Sequence, residues 1–146
     1  MLIRCPRCHH RAETSPLITG AKVGKSPGAR RMVRRRLHCA HCGLTRELSY
    51  RYRIDSPVSG EPIPADPHFR EPLWLQAPCA GNVVWAYNLA HLEALESHIR
   101  NAVAHATGAS GRRELLRRTN VPDWMVTNAH EVLGALAVLR ERALAT

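Results

Sequence analysis

The sequence predicts an α+β fold, in which a small antiparallel sheet precedes a β-hairpin and a helical bundle. The first third has two Cys-x-x-Cys motifs and stretches of alternating polar and apolar residues. The last third repeats apolar residues at the three- and four-residue spacing of amphipathic helices. A stretch with five prolines lies between them. Since such a stretch is extended and semi-rigid, we predict a metal-stabilised sheet (1–55), a proline-rich linker (56–72) and a hairpin with helices (73–146).

Four cysteines organise the first part. Cys5 and Cys8 form one Cys-x-x-Cys motif, and Cys39 and Cys42 form the other. A two-residue gap lets one tight turn direct two thiolates at the same point, so two such turns complete a tetrahedral metal site. We predict that these cysteines bind one Zn2+ ion. Iron in a rubredoxin-like site is the main alternative, because four thiolates at this spacing also suit iron.

Other uses of these cysteines fit less well. A disulfide framework needs an oxidising compartment, and no signal peptide precedes Cys5. A thioredoxin-like redox pair would leave the second motif unexplained. Four histidines flank the cysteines, but four thiolates already fill a closed structural site. We therefore expect the histidines to lie around the ion without binding it: His9, His10, His38 and His41.

Three strands are predicted in this part, at 11–19, 30–38 and 44–54. The last one alternates apolar residues with serine and arginine, which is the pattern of a half-buried strand. A loop rich in glycine and proline (20–28) separates the first two strands. Gly43 follows the second cysteine motif, where we expect the backbone to need a positive φ angle.

These motifs resemble the zinc-ribbon family, of the kind found in TFIIB-type transcription factors. The matching residues are Cys5-Pro-Arg-Cys8 and Cys39-Ala-His-Cys-Gly43, and the resemblance covers residues 1–55. It implies a small sheet around one zinc ion. It does not select a function, since zinc ribbons bind DNA, RNA or only other proteins. His9 departs from the pattern, because a ribbon often has glycine after its first motif.

The third part begins with a predicted hairpin, with strands at 73–76 and 83–87 and a turn at 77–82. Its segments Pro72-Leu-Trp-Leu-Gln76 and Trp85-Ala-Tyr-Asn88 resemble those of uncharacterised bacterial proteins that carry a zinc ribbon. The resemblance implies a bacterial, cytoplasmic protein and no particular activity. The aromatic residues of the hairpin suit a hydrophobic core or, alternatively, an interface with a partner: Trp74, Trp85 and Tyr87.

Two helices are predicted at 89–106 and 112–118. A third is predicted to begin after Pro122, and the last begins at a capping box, Asn128-Ala-His-Glu131. The first has an apolar stripe that includes Leu92, Ile99 and Val103. Its acidic residues are expected on the polar face. No apolar run approaches the ~20 residues that cross a bilayer, so we expect no membrane contact. Cysteines suited to metal, without a recognisable targeting segment, favour a reducing compartment, and we expect a cytoplasmic location.

The charge distribution favours a polyanionic partner. The chain carries a net charge of +9, and residues 1–55 hold 13 Lys/Arg against 3 Asp/Glu, whereas the remainder holds 8 against 9. Arginine forms bidentate contacts with phosphate, so we predict that this part binds nucleic acid. The alternative is a solvated face that blocks edge-to-edge pairing. The predicted contact residues are Arg30, Arg31, Arg34, Arg35, Arg36, Arg51 and Arg53.

No catalytic constellation is recognisable, so we expect a non-enzymatic protein. Cys79 is the fifth cysteine, and an inert buried thiol is favoured over a nucleophile because no motif fixes a base beside it. The predicted function is therefore zinc binding with nucleic-acid contact. The alternative is a protein–protein adaptor with a structural zinc site, in which Trp74 and Trp85 complete the interface. The oligomeric state is left open.

Overall fold

The computed structural model of the chain describes residues 1–17, 30–53, 64–104 and 121–145. It contains two compact units, Met1–Trp74 and Leu75–Thr146, which we call the N-terminal and the C-terminal unit. Antiparallel strands form a sheet in each unit, and the helices that the structure describes lie in the second. The predicted α+β fold class is confirmed.

The N-terminal unit is built on a four-stranded antiparallel sheet in which the strands lie side by side in chain order. Three of the strands were predicted. The first strand was not, because it has only three residues and no alternation to detect. The strands are β1 (Leu2–Arg4), β2 (Arg11–Pro16), β3 (Arg30–His38) and β4 (Thr45–Arg53).

Strand β3 alternates between a buried and an exposed face. Leu37 is fully buried, and Val33 and Arg35 are partly buried on the same side. Arg34 and Arg36 are exposed on the opposite side. This is the period-two pattern of a half-buried strand.

Part of the predicted linker pairs with the sheet. The N–H of Arg4 donates to the carbonyl of Pro72 (2.8 Å), and the N–H of Trp74 donates to the carbonyl of Leu2 (3.1 Å). Leu73 pairs with β1 through an antiparallel bridge and is fully buried. Proline accepts but cannot donate, which suits it to such an edge position. Residues 64–74 therefore belong to the N-terminal unit, while residues 54–63 lie outside the described chain.

A buried carboxylate fixes this segment to the sheet. Asp66 is 1% exposed, and its Oδ1 accepts hydrogen bonds from the backbone N–H groups of His68 (2.7 Å) and Phe69 (2.8 Å). Its Oδ2 accepts a hydrogen bond from the hydroxyl of Thr14 in β2 (2.8 Å). Tyr50 of β4 forms a further hydrogen bond with the His68 ring. Asp66 and His68 thus connect residues 64–74 to β2 and β4, respectively.

The C-terminal unit begins with a hairpin whose turn is shorter than predicted. Strands β5 (Leu75–Cys79) and β6 (Asn82–Ala86) are joined by Ala80 and Gly81, whose φ angles are 47° and 73°. Positive φ at both positions is typical of the two-residue type I′ turn, which matches the twist of the paired strands. Residues 77–79, predicted in the turn, therefore extend β5.

Three described helices complete this unit: α1 (Leu89–Ala104), α2 (Asp123–Thr127) and α3 (Ala129–Leu144). Leu92 and Ile99 of α1 and Leu136 and Leu139 of α3 are fully buried. Val103, predicted on the apolar stripe, is 52% exposed, because the buried stripe continues through Ala102 instead.

The buried face of α1 also holds an acidic residue. Glu96 is 7% exposed and forms an ion pair with Arg140 of α3. The expectation that Glu96 lies on the polar face is therefore wrong. Burial of a carboxylate is tolerated here because the arginine partner compensates its charge.

The predicted capping box of the last helix does not form. Asn128 precedes α3 but makes no side-chain capping hydrogen bond to it. Its side-chain amide instead donates to the carbonyl of Trp124 in α2 (2.8 Å), because Asn128 also ends that helix. The predicted helix at 112–118 lies outside the described residues. Among the described helices, none is long and apolar enough to span a membrane.

Candidate metal centre

Two turns with the same hydrogen-bond pattern present the four cysteines. The N–H of His9 donates to the carbonyl of Cys5 (2.9 Å), and the N–H of Gly43 donates to the carbonyl of Cys39 (3.0 Å). In each turn, the N–H of the first cysteine donates to the carbonyl five residues later, at 2.8 and 2.9 Å. Each Cys-x-x-Cys motif is therefore held by local backbone bonds.

Both turns need a left-handed residue directly after the second cysteine. Gly43 has a φ of 71°, as predicted, and His9 has a φ of 62° at the equivalent position. A residue with a Cβ atom pays roughly 1–2 kcal/mol for this conformation. The departure from the zinc-ribbon pattern at His9 thus leaves the turn geometry unchanged.

We expect Gly43→Ala to lower the free energy of unfolding of the N-terminal unit by about 1–2 kcal/mol. No heavy atom lies within 4 Å of an added Cβ, so the cost is backbone strain alone. The matched control is Gly134→Ala in α3, where the added Cβ is equally free and φ is not positive. It should stabilise the C-terminal unit by about 1 kcal/mol. Native-state hydrogen exchange measures each unit separately, and equal effects at the two sites would contradict the strain argument.

The four sulfur atoms have the spacing of a tetrahedral metal site. Cys5 Sγ lies 3.7 Å from Cys42 Sγ, and Cys8 Sγ lies 3.6 Å from Cys39 Sγ. All four atoms are within 4.8 Å of one another. A metal–sulfur distance of about 2.3 Å places tetrahedral ligands about 3.8 Å apart. A disulfide would need about 2.05 Å, and all four cysteines are free. The group can therefore hold a metal ion.

The thiols of the first motif differ in their affinity for protons. Burial raises the pKa of the Cys5 thiol, but the N–H groups of Arg7 and Cys8 and two neighbouring thiols lower it to about 7. Burial and hydrogen bonds to the other thiols raise the pKa of Cys8 to about 12. Metal binding has to displace the remaining protons, so its affinity depends on pH.

The chain matches no protein-family model, no curated protein and no solved structure. The class of site is consequently defined by the four clustered cysteines, whose geometry is compatible with that of a zinc ribbon.

The described arginines of the predicted nucleic-acid surface lie in two environments. Arg36 is exposed and pairs with Glu47 of β4, with its Nε and Nη2 3.0 and 2.7 Å from Oε1. Arg34 is exposed and lies 3.9 Å from the same carboxylate. Arg35 points to the other face, where its Nη2 donates to the Thr14 hydroxyl (3.3 Å).

The other predicted contact residues are described only by their backbone. Strand pairing sets Arg30 opposite Arg53, Arg31 opposite Tyr52, and Met32 opposite Arg51. The arginine-rich ends of β3 and β4 are therefore neighbours in the sheet.

The predicted interface aromatics fall in different units. Trp74 ends the N-terminal unit, whereas Trp85 and Tyr87 belong to the C-terminal unit and pack edge to face, with ring centroids 4.9 Å apart. His91 stacks on Tyr87 at 5.0 Å, and its Nδ1 accepts the Tyr87 N–H. Burial lowers the pKa of His91. This packing of His91 on Tyr87 was not predicted, although their spacing of four residues at a helix start could have indicated it.

Cys79 lies at the end of β5 and is 8% exposed. Burial and the nearby charge of Glu131 raise the pKa of its thiol. A thiol in such surroundings stays protonated at neutral pH and is a poor nucleophile. The environment of Cys79 therefore favours an unreactive buried thiol over a nucleophile.

Proposed function

We propose that Cys5, Cys8, Cys39 and Cys42 bind one structural Zn2+ ion. The support is the sulfur spacing, together with complete burial of Cys5 and Cys39. Four thiolates leave no open position for a substrate, which is typical of structural rather than catalytic zinc. The ion would supply much of the folding free energy of the small N-terminal sheet. Elemental analysis of the purified chain distinguishes zinc from iron.

We further propose that the chain is a non-enzymatic protein whose N-terminal sheet contacts nucleic acid. The observation that carries this proposal is the exposure of Arg34 and Arg36 on one face of β3, in the part of the chain with nearly all the excess positive charge. The resemblance to zinc ribbons of transcription factors agrees with it. Contacts of this kind go mainly to phosphates, so the binding should depend strongly on salt and little on base sequence.

We expect the double variant Arg34→Ala/Arg36→Ala to weaken binding of duplex DNA and to reduce the salt dependence. Loss of two phosphate contacts lowers the slope of log K against log salt by about 1.8. Fluorescence anisotropy across a salt series measures both effects. Arg35 is left intact, because it contacts Thr14 and its removal would disturb the sheet.

Two further variants sharpen this test. Arg100→Ala removes an exposed charge from α1 and should leave the slope unchanged. Glu47→Gln releases Arg36 from its ion pair and should strengthen binding. Equal affinity of the parent and the double variant would contradict contact through this face.

The adaptor function is the second candidate, favoured by the partly exposed cluster of Trp85, Tyr87 and His91. Aromatic residues are enriched at protein interfaces. An adaptor would retain its partner after nuclease treatment, whereas a nucleic-acid-dependent complex would not.

A further inference from the structure

Two exposed histidines lie against the four-cysteine centre. The rings of His10 and His41, which we call the histidine pair, are stacked with centroids 3.6 Å apart and planes inclined by 6°. One ring nitrogen of each and the Cys8 sulfur lie within 4.8 Å of one another. Each of the two turns contributes one histidine, so the arrangement depends on the same geometry that gathers the cysteines.

His10 is already held in the tautomer of a metal ligand. Its Nδ1 lies 2.9 Å from the backbone carbonyl oxygen of Cys8. A carbonyl oxygen only accepts, so Nδ1 carries the proton of the neutral ring and Nε2 keeps its lone pair. Metal-binding histidines almost always donate their other N–H in this way, which fixes both tautomer and ring orientation.

The charge of the neighbouring centre favours a second cation. A divalent ion with four thiolates carries a formal charge of −2. A thiolate bound to one ion also keeps lone pairs that can reach another. Cys8 is only partly buried, and the histidine pair is exposed, so a second ion can approach from solvent.

We propose that His10, His41 and the Cys8 thiolate form a second, exchangeable site for a divalent transition-metal ion. Imidazole and thiolate donors select zinc-like ions over Mg2+ and Ca2+, which take oxygen ligands. Three protein ligands leave a fourth position open to water, unlike the closed four-cysteine centre. His10 keeps its bond to the Cys8 carbonyl, and the exposed His41 ring has to turn out of the stack to bring its lone pair onto the ion. This site rests on the proposed structural ion, because the Cys8 thiolate would bridge the two metal ions.

Equilibrium dialysis of the full chain tests the second site. The chain is first loaded with Zn2+ and desalted, and the retained zinc is counted. It is then dialysed against increasing free Zn2+. The parent should retain one ion and bind another reversibly. His10→Ala and His41→Ala should retain the first ion, which reports a folded centre. Each should weaken binding of the second ion by more than the ~10–100-fold that loss of an outer-shell partner costs.

His9→Gly is the matched control. It removes a histidine from the same turn, and glycine adopts the positive φ of this position without strain. It should keep both ions. Binding of Co2+ to the zinc-loaded parent supplies a second measurement, since its visible spectrum reports nitrogen and sulfur ligands.

Two results would overturn the proposal: a parent that binds no second ion, or histidine variants that bind it as tightly as the parent. A desalted parent that retains no ion would instead contradict the structural zinc centre, and with it the bridging role of Cys8.

Discussion

Cys39→Ser is expected to abolish stable metal binding and to unfold the N-terminal unit. Cys39 is fully buried, and its sulfur lies 3.6 Å from that of Cys8. Structural zinc contributes on the order of 10 kcal/mol to the folding of small modules, which exceeds what a short sheet can supply alone. The variant should retain no zinc after desalting and should lose protection of the β2 and β3 amides from hydrogen exchange.

Cys79→Ser is the matched control, because it also replaces a buried cysteine but in the C-terminal unit. It should retain one zinc ion and full protection of the N-terminal sheet. If Cys39→Ser keeps both the ion and the protected amides, the sheet does not depend on the metal.

Asp66→Ala is expected to lower the free energy of unfolding of the N-terminal unit by about 3–5 kcal/mol. The change removes the acceptor of three hydrogen bonds and leaves the N–H groups of His68 and Phe69 unpaired. Hydrogen bonds to charged groups contribute about 1.5–3 kcal/mol each, and a buried unpaired donor adds a desolvation cost. Hydrogen exchange of the zinc-loaded chain measures the effect in this unit.

The conservative variant Asp66→Asn separates the hydrogen bonds from simple packing. Its amide oxygen can still accept from both N–H groups, and its amide nitrogen can donate to the Thr14 hydroxyl. We expect a loss of about 1 kcal/mol. Equal losses for alanine and asparagine would show that the charge, rather than the hydrogen-bond acceptor, fixes residues 64–74.

The features that were predictable from sequence are those fixed by neighbours along the chain. A Cys-x-x-Cys motif and the glycine after it are set by one turn, so the spacing alone indicated both the cysteine cluster and the positive φ of Gly43. Strand β4 was equally predictable, since the alternation of apolar residues with serine and arginine needs only a few consecutive residues. Nucleic-acid binding and the identity of the ion stay predictions.

The features that sequence analysis missed depend on contacts between distant residues. Asp66 lies 52 positions from Thr14, and Glu96 lies 44 positions from Arg140. From the local sequence alone, a carboxylate among prolines, such as Asp66, indicates a linker. A carboxylate on an amphipathic helix, such as Glu96, indicates the face exposed to solvent. Only the fold supplies the donors that make burial of these groups favourable.

The pairing of Leu73 with β1 has a consequence for fragment design. A fragment that ends at residue 55 would lose Asp66 and Leu73 and expose the edge of β1. The sheet would be less stable in such a fragment, and a binding measurement on it would give too low an affinity. The smallest suitable fragment ends at Trp74. If the chain is instead expressed as two pieces, cut between residues 54 and 63, each piece supplies one side of these contacts. The chain is therefore a candidate for split-protein reassembly.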